Sequence, residues 1–176
     1  MKGKRSYTGN NNFHYVTFIC HGRRKLLITP AEKQIVTSVL DGLVRSGDLY
    51  VSGFVIMPDH VHAILSFRDD HDLPATMKTW KRLSSHYLKA HYEKHKPEYL
   101  DYLKVMRNRR ELTPFWHRRY YDLNIESLEK LRKILDYMHH NPVRARLVET
   151  ATDYKWSSAL WYYKKRSVGV AIEPGF

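Results

Sequence analysis

The 176-residue sequence predicts an α+β domain with a ferredoxin-like antiparallel sheet, helices on one face, and one added helix toward the C-terminus. Three observations lead there. Segments rich in β-branched and aromatic residues alternate with segments whose apolar residues recur three or four apart, in the order strand, helix, strand, strand, helix, strand, helix. Two of the strand segments are separated only by Pro58-Asp59, the chemistry of a tight turn, so they pair as a hairpin. An apolar fraction of 43% over this length suits one domain with a real core and leaves little room for a second.

Residues 13–20 (FHYVTFIC) read as the first strand, ending in the basic turn His21-Gly22-Arg23-Arg24. Thr29 is placed to cap a helix that has Pro30 at its first position. Ile35, Val36, Val39, Leu40, Leu43 and Val44 continue it to Ser46, a helix of about 15 residues. Residues 49–57 and 60–67 give the second and third strands, closed by Asp69, Asp70, His71 and Asp72. From 74 to about 94, Met77, Trp80, Leu83, Tyr87 and Leu88 mark a second helix with a basic outer face. A basic loop comes next, then a fourth strand over 115–123. Asn124 is the expected cap of a last helix, from 125 to about 141, stopped or kinked by Pro142. Internal repeats are absent, and the tail from Lys164 reads as surface.

Thirty Lys plus Arg against eighteen Asp plus Glu give a formal charge of +12, which calls for a polyanionic partner, nucleic acid ahead of an acidic membrane. No apolar run approaches the roughly 18 to 20 residues that span a bilayer, and the residues after Met1 are basic and polar rather than a leader core. A soluble, cytoplasmic protein is expected. The single cysteine, Cys20, excludes an intramolecular disulfide and a multi-cysteine zinc site, so metal ligands must be His, carboxylate or amide.

His60 and His62 lie two apart on the third strand, so both imidazoles share one sheet face while Val61 points to the other. Two such rings can converge on a cation; they can equally be hydrogen-bonded or exposed histidines. With open positions left for substrate oxygens, Mg²⁺ or Mn²⁺ suits the pair, with Zn²⁺ the softer alternative. On the last helix Leu128, Leu131, Leu135 and Met138 form one apolar stripe. Tyr137 falls on another flank, with Asn141 four residues on, so a phenol and an amide can face one site. Among thirteen tyrosines, the plain alternative is a half-buried packing residue.

Residues 78–119 hold twelve Lys plus Arg against four Asp plus Glu, so eight of the twelve net charges fall in this stretch. Lys81, Arg82, Arg107, Arg109, Arg110, Arg118 and Arg119 here, with Arg23 and Arg24, are the candidate phosphate contacts. Trp80, Tyr87, Tyr92, Tyr99, Tyr102, Phe115 and Trp116 are interleaved, as base-stacking residues would be. The alternative is a solvated helix face with its aromatics turned to the core.

Together these segments resemble the HUH-type single-tyrosine transposases, in particular the REP-associated tyrosine transposases. Tyr15-Val16-Thr17-Phe18 with Arg23 to Leu27 is similar to the family's first strand and the segment after it. Met57-Pro58-Asp59-His60-Val61-His62 matches its Met-Pro-x-His-hydrophobic-His signature. Asp136-Tyr137-Met138-His139-His140-Asn141-Pro142-Val143, with Ala145, Leu147 and Val148, matches its nucleophile helix, and Asp153-Tyr154-Lys155-Trp156-Ser157-Ser158 completes the set. The resemblance spans about residues 7–163, with a longer stretch than usual at 93–113. It implies an enzyme that cleaves and rejoins single-stranded or hairpin DNA, with Tyr137 as nucleophile and His60, His62 and Asn141 holding a divalent ion, Mg²⁺ or Mn²⁺. It implies DNA as partner and leaves monomer and homodimer both open. Two other readings compete: a non-catalytic hairpin-binding module, and a zinc phosphohydrolase with water as nucleophile.

Overall fold

The computed structural model describes residues 13–47, 49–68 and 72–175, with Arg107 described through its backbone alone. The basic start of the chain and Asp69, Asp70 and His71 lie outside these residues. Four strands form one antiparallel sheet: β1 (Phe13–Ile19), β2 (Leu49–Ile56), β3 (His60–Phe67) and a fourth at Tyr121–Ile125, in the order second, third, first, fourth. This is the ferredoxin-like order expected from the sequence.

The two crossover helices, α1 (Pro30–Arg45) and α2 (Leu73–His95), cover one face. Their Val36, Leu40, Met77, Trp80 and Leu88 pack with Val16, Phe18, Val61, Ala63 and Leu65 of the sheet. Phe18 meets Trp80 and Trp116 edge-on, with ring centres 4.9 and 4.7 Å apart. Thr29 accepts from Glu32 N while the Glu32 carboxylate accepts from Thr29 N, closing a capping box. Lys96 Nζ reaches the other Glu32 oxygen at 2.6 Å, pinning the end of α2 to the start of α1.

Residues 96–112, expected as a loop, fold as α3 (Pro97–Leu103) and a two-stranded ribbon, β4 (Val105–Arg107) with β5 (Arg110–Leu112). The fourth strand of the main sheet, β6 (Tyr121–Ile125), starts later than the expected 115. Phe115 and Trp116 are instead buried in the helix-covered core, where a single antiparallel bridge from Trp116 to Cys20 is flanked by irregular chain. That burial mimics a strand's composition, which is why the sequence reads as one. The helix expected over 125–141 is α4 (Leu128–His139), capped by Ser127, whose Oγ accepts from Lys130 N; Asn124 and Ile125 belong to β6. His140 then leads into the short α5 (Asn141–Arg144), so Pro142 marks a break as expected.

α4 lies on the face opposite α1 and α2, where Leu131, Leu135 and Met138 pack on Phe13, Tyr15, Val55 and Ile64. Gly53 makes that approach possible: a Cβ there would overlap Leu135 Cδ2 and sit 3.1 Å from Met138 Cε. Buried His139 Nε2 lies 2.8 Å from Ser158 Oγ, tying α4 to the chain beyond it.

The C-terminal segment closes the outer edge of β2; the tail expected as surface from Lys164 is exposed over 164–167 but anchored at Val170 and Glu173. Ile56 N donates to Trp156 O, Ser158 N to Phe54 O, and, past α6 (Ala159–Lys164), Glu173 N to Val51 O. Ser52, at the β-bulge between Val51 and Gly53, donates its hydroxyl to Glu173 O, and Val170 is buried in the core. An edge strand covered in this way has no free ladder to offer. No helix among the described residues is long and apolar enough to cross a membrane.

Candidate active site

Strand alternation assembles the first half of the site. His62 lies opposite Thr17, and His60 opposite Ile19, on the face that α4 only partly covers, while Val61 is fully buried under the other helices. His62 is 6% exposed. Its Nδ1 lies 2.6 Å from Thr17 Oγ1 and 2.9 Å from Tyr15 Oη, and the Tyr15 ring stacks on it. His60 Nδ1 donates to Asp59 Oδ1 at 2.6 Å, and the two imidazoles stand 4.7 Å apart at 77°. Burial, with His60 and Arg144 nearby, pushes the His62 pKa down to about 3, so its ring is neutral at ordinary pH.

α4 and α5 bring the second half. With Leu131, Leu135 and Met138 turned to the sheet, Tyr137 is left 47% exposed, its ring centre 6.2 Å from that of His62. Arg144 Cζ lies 4.2 Å from the Tyr137 ring centre. The same guanidinium donates to Tyr137 O at 2.8 Å and Asn141 Oδ1 at 3.2 Å. Asn141 Nδ2 is buried without a hydrogen-bond partner. Tyr121, across from Thr17 on β6, meets Tyr15 edge-on at 6.2 Å. Burial raises the Tyr15 pKa, and the Tyr137 and Tyr121 phenols add to the rise.

The residues present fit a divalent ion held by two imidazoles. Both Nδ1 atoms are engaged by oxygen partners, which leaves the Nε2 lone pairs as the ligating positions when Nδ1 carries the proton. The neutral state of His62 is the ligating state. Among the described residues no group of three His, Cys, Asp or Glu converges, so further ligands to such an ion would be an amide, water or substrate oxygen. An amide ligates through its oxygen: Asn141 Oδ1 accepts from Arg144 and keeps a second lone pair, while its unpartnered Nδ2 can only donate.

Arg23, Arg24, Arg82, Arg109, Arg110, Arg118 and Arg119 are exposed, as phosphate contacts must be; the side chain of Arg107 lies outside the described residues. Lys81 is spent differently: half-buried, its Nζ donates to His117 O and Arg118 O at 2.7 and 2.8 Å, holding the segment that displays Arg118. Of the interleaved aromatics, Trp80, Tyr92, Phe115 and Trp116 are core, and Tyr87, Tyr99 and Tyr102 are exposed. Sequence reasoning misses Tyr15, Thr17, Asp59 and Arg144 as parts of the site. The alternation of β1 against His60 and His62 is the signal for the first two.

The family model described as IS200-like transposase matches residues 8–141. A protein of Haemophilus influenzae described as a REP-associated tyrosine transposase is 28% identical over 103 residues, 58% of this chain and 54% of the relative. The chain thus spans about half the length of that relative. A REP-associated tyrosine transposase solved bound to a REP hairpin superposes with TM-score 0.68 at 18% identity, over 100% of this chain and 94% of that one. A Deinococcus radiodurans structure described as a transposase gives TM-score 0.52 at 19% identity, over 80% and 97% of the two chains. These structures share the fold. With the family model covering well over half of the sequence, from before β1 to the start of α5, the chain belongs to the IS200-like transposases.

Proposed function

We propose that this chain is a REP-associated transposase that cleaves and rejoins single-stranded DNA beside a hairpin through a covalent 5′-phosphotyrosine intermediate. The observation behind this reading is that an exposed phenol, Tyr137, faces the His60/His62 pair, its ring centre 6.2 Å from that of His62. Tyr137 Oη attacks the scissile phosphorus, the bond to the 3′ oxygen breaks, and that oxygen leaves as a hydroxyl after taking up the phenol's proton. Phosphodiester energy is kept in the protein–DNA bond, so a 3′-hydroxyl can later attack it and restore a continuous strand.

His60, His62 and Asn141 would hold a divalent ion such as Mg²⁺ or Mn²⁺, which would supply positive charge against the negative charge developing on the phosphate and would favour the phenolate. The chain's own residues prepare the geometry. Asp59 and the Thr17/Tyr15 hydroxyls fix the two imidazole orientations. Arg144 holds the Tyr137 ring and the Asn141 amide in one constellation. The exposed arginines take the flanking phosphates.

The test is a denaturing gel of 3′-labelled hairpin DNA incubated with Mn²⁺ and protein. A shifted protein–DNA band supports the reading. Multiple-turnover hydrolysis without a band points to water as nucleophile, and binding without cleavage points to a hairpin-binding module.

A further inference from the structure

Among the described residues β4 and β5 form a sheet of their own, apart from the main one. Val105, Met106 and Leu112 join neither apolar cluster of the domain, and Met106 and the nearby Tyr102 are 70% and 72% exposed. A two-stranded ribbon on its own is marginal in water. Its shape is nevertheless well specified: Asn108 and Arg109 both have positive φ, 49° and 59°, the two-residue turn that suits a twisted ribbon. Its base is fixed by buried Leu103 on one side and buried Phe115 on the other. Lys104 Nζ adds ties to Asp101 and Glu111 at 3.1 and 3.4 Å.

The base is also tied to the candidate active site. His21 N donates to Phe115 O and His117 N to Ile19 O, while Cys20 N donates to Asp59 O. The chain leaving the ribbon therefore runs beside the end of β1 and the turn that carries Asp59 and His60. Arg23, Arg24, Arg118 and Arg119 are exposed along the same stretch.

We propose that the β4–β5 ribbon is a duplex-binding arm, entering the major groove of the base-paired stem while the adjoining single strand reaches Tyr137. This rests on the transposase reading above. A major groove admits a two-stranded ribbon, and its depth of about 8.5 Å is within the reach of three extended residues, about 10 Å. The exposed Arg109 and Arg110 meet phosphates and guanine edges there, which accounts for exposed cations on a ribbon whose apolar residues join neither core cluster.

Fluorescence anisotropy on two labelled DNAs tests this, both with the same single-stranded flank and one with a stem of about 10 base pairs, one helical turn. The stem should tighten wild-type binding. The double variant Arg109→Ala, Arg110→Ala should lose most of that gain, and its slope of log K against log salt on stem DNA should be shallower by about two. Losses of equal size on both DNAs, or on neither, overturn the arm. Dimethyl sulfate footprinting with the wild-type chain needs no variant to fold: stem guanine N7 atoms should be protected, and full reactivity at saturating protein overturns the arm. The covalent band on the same DNA separates the two levels. A band with unprotected stem guanines rejects the arm alone; stem-dependent binding and protection without a band reject the transposase reading and keep the arm.

Discussion

β1 and β3 present two different surfaces from alternate residues of the same strands. Val16, Phe18, Val61 and Ala63 meet α1 and α2 in a wholly apolar layer, and Trp80 fills its centre. One residue along each strand, Tyr15, Thr17, His60 and His62 face the other way, where α4 packs on only part of the sheet and leaves hydroxyls, imidazoles and a phenol together. A period of two lets one face specify the fold while the other is free to vary its chemistry. The two faces should therefore fail in different ways when altered.

The largest separation is expected from Tyr137→Phe. Covalent adduct formation on hairpin DNA should vanish, while urea unfolding shifts by no more than about 0.5 kcal/mol, because the exposed ring loses only its oxygen. Tyr120→Phe and Tyr121→Phe are the controls, and an adduct that survives in Tyr137→Phe but disappears in either would move the nucleophile to β6 or its approach. The opposite face supplies the converse: Trp80→Ala removes a fully buried indole and should cost about 3 to 5 kcal/mol in the same unfolding assay, with adduct formation retained per folded molecule. Loss of chemistry in the folded fraction would mean that the two faces are coupled.

Acid should act through the α4 side. His62 and His139 hold pKa values of about 3 and about 4 in the folded chain, both depressed chiefly by burial, against 6.5 when unfolded. Each contribution is complete above pH 6.5 and is lost as the pH falls toward those values, since the unfolded chain takes up the protons first. Urea midpoints with chelator present should show a loss of about 2 kcal/mol per histidine by about pH 4.5, and His139→Gln should remove its share of that slope. The smallest effect is expected from Thr17→Val, which keeps shape and deletes one oxygen at His62 Nδ1. Mn²⁺ affinity measured by calorimetry should weaken by about 10-fold to 100-fold with the fold intact, and an unchanged affinity would show that Tyr15 alone orients the ring.

The legible part of the sequence is its periodic part. The Thr29 cap, the strand from His60, the opposite directions of Val61 and His62, and the exposed flank of Tyr137 all obey a local rule that a few neighbouring residues suffice to display. The ribbon is not legible, because strands of three residues show no period, and the positive-φ turn at Asn108 and Arg109 lacks the glycine that usually announces it. Phe115 and Trp116 look like strand and are buried with only one bridge, Trp116 to Cys20, between them and the sheet. Arg144 is beyond local rules altogether: its place over Tyr137 depends on the break between α4 and α5. The tail reads as surface for a similar reason, since its partners on β2 lie more than a hundred residues earlier.

The glycine at position 53 acts as a depth gauge for the chemistry. Leu135 and Met138, which straddle Tyr137 on α4, rest where a side chain at 53 would be. The height of the phenol above the imidazoles is thus metered by an absent methyl group on β2, a strand that supplies no functional group to the site. Displacements near 1 Å can cost about 100-fold in rate when reacting atoms must be aligned. The tolerance of the site is therefore written into a position that chemistry alone would never single out, and adding one carbon there would detune the centre without changing the identity of any of its residues.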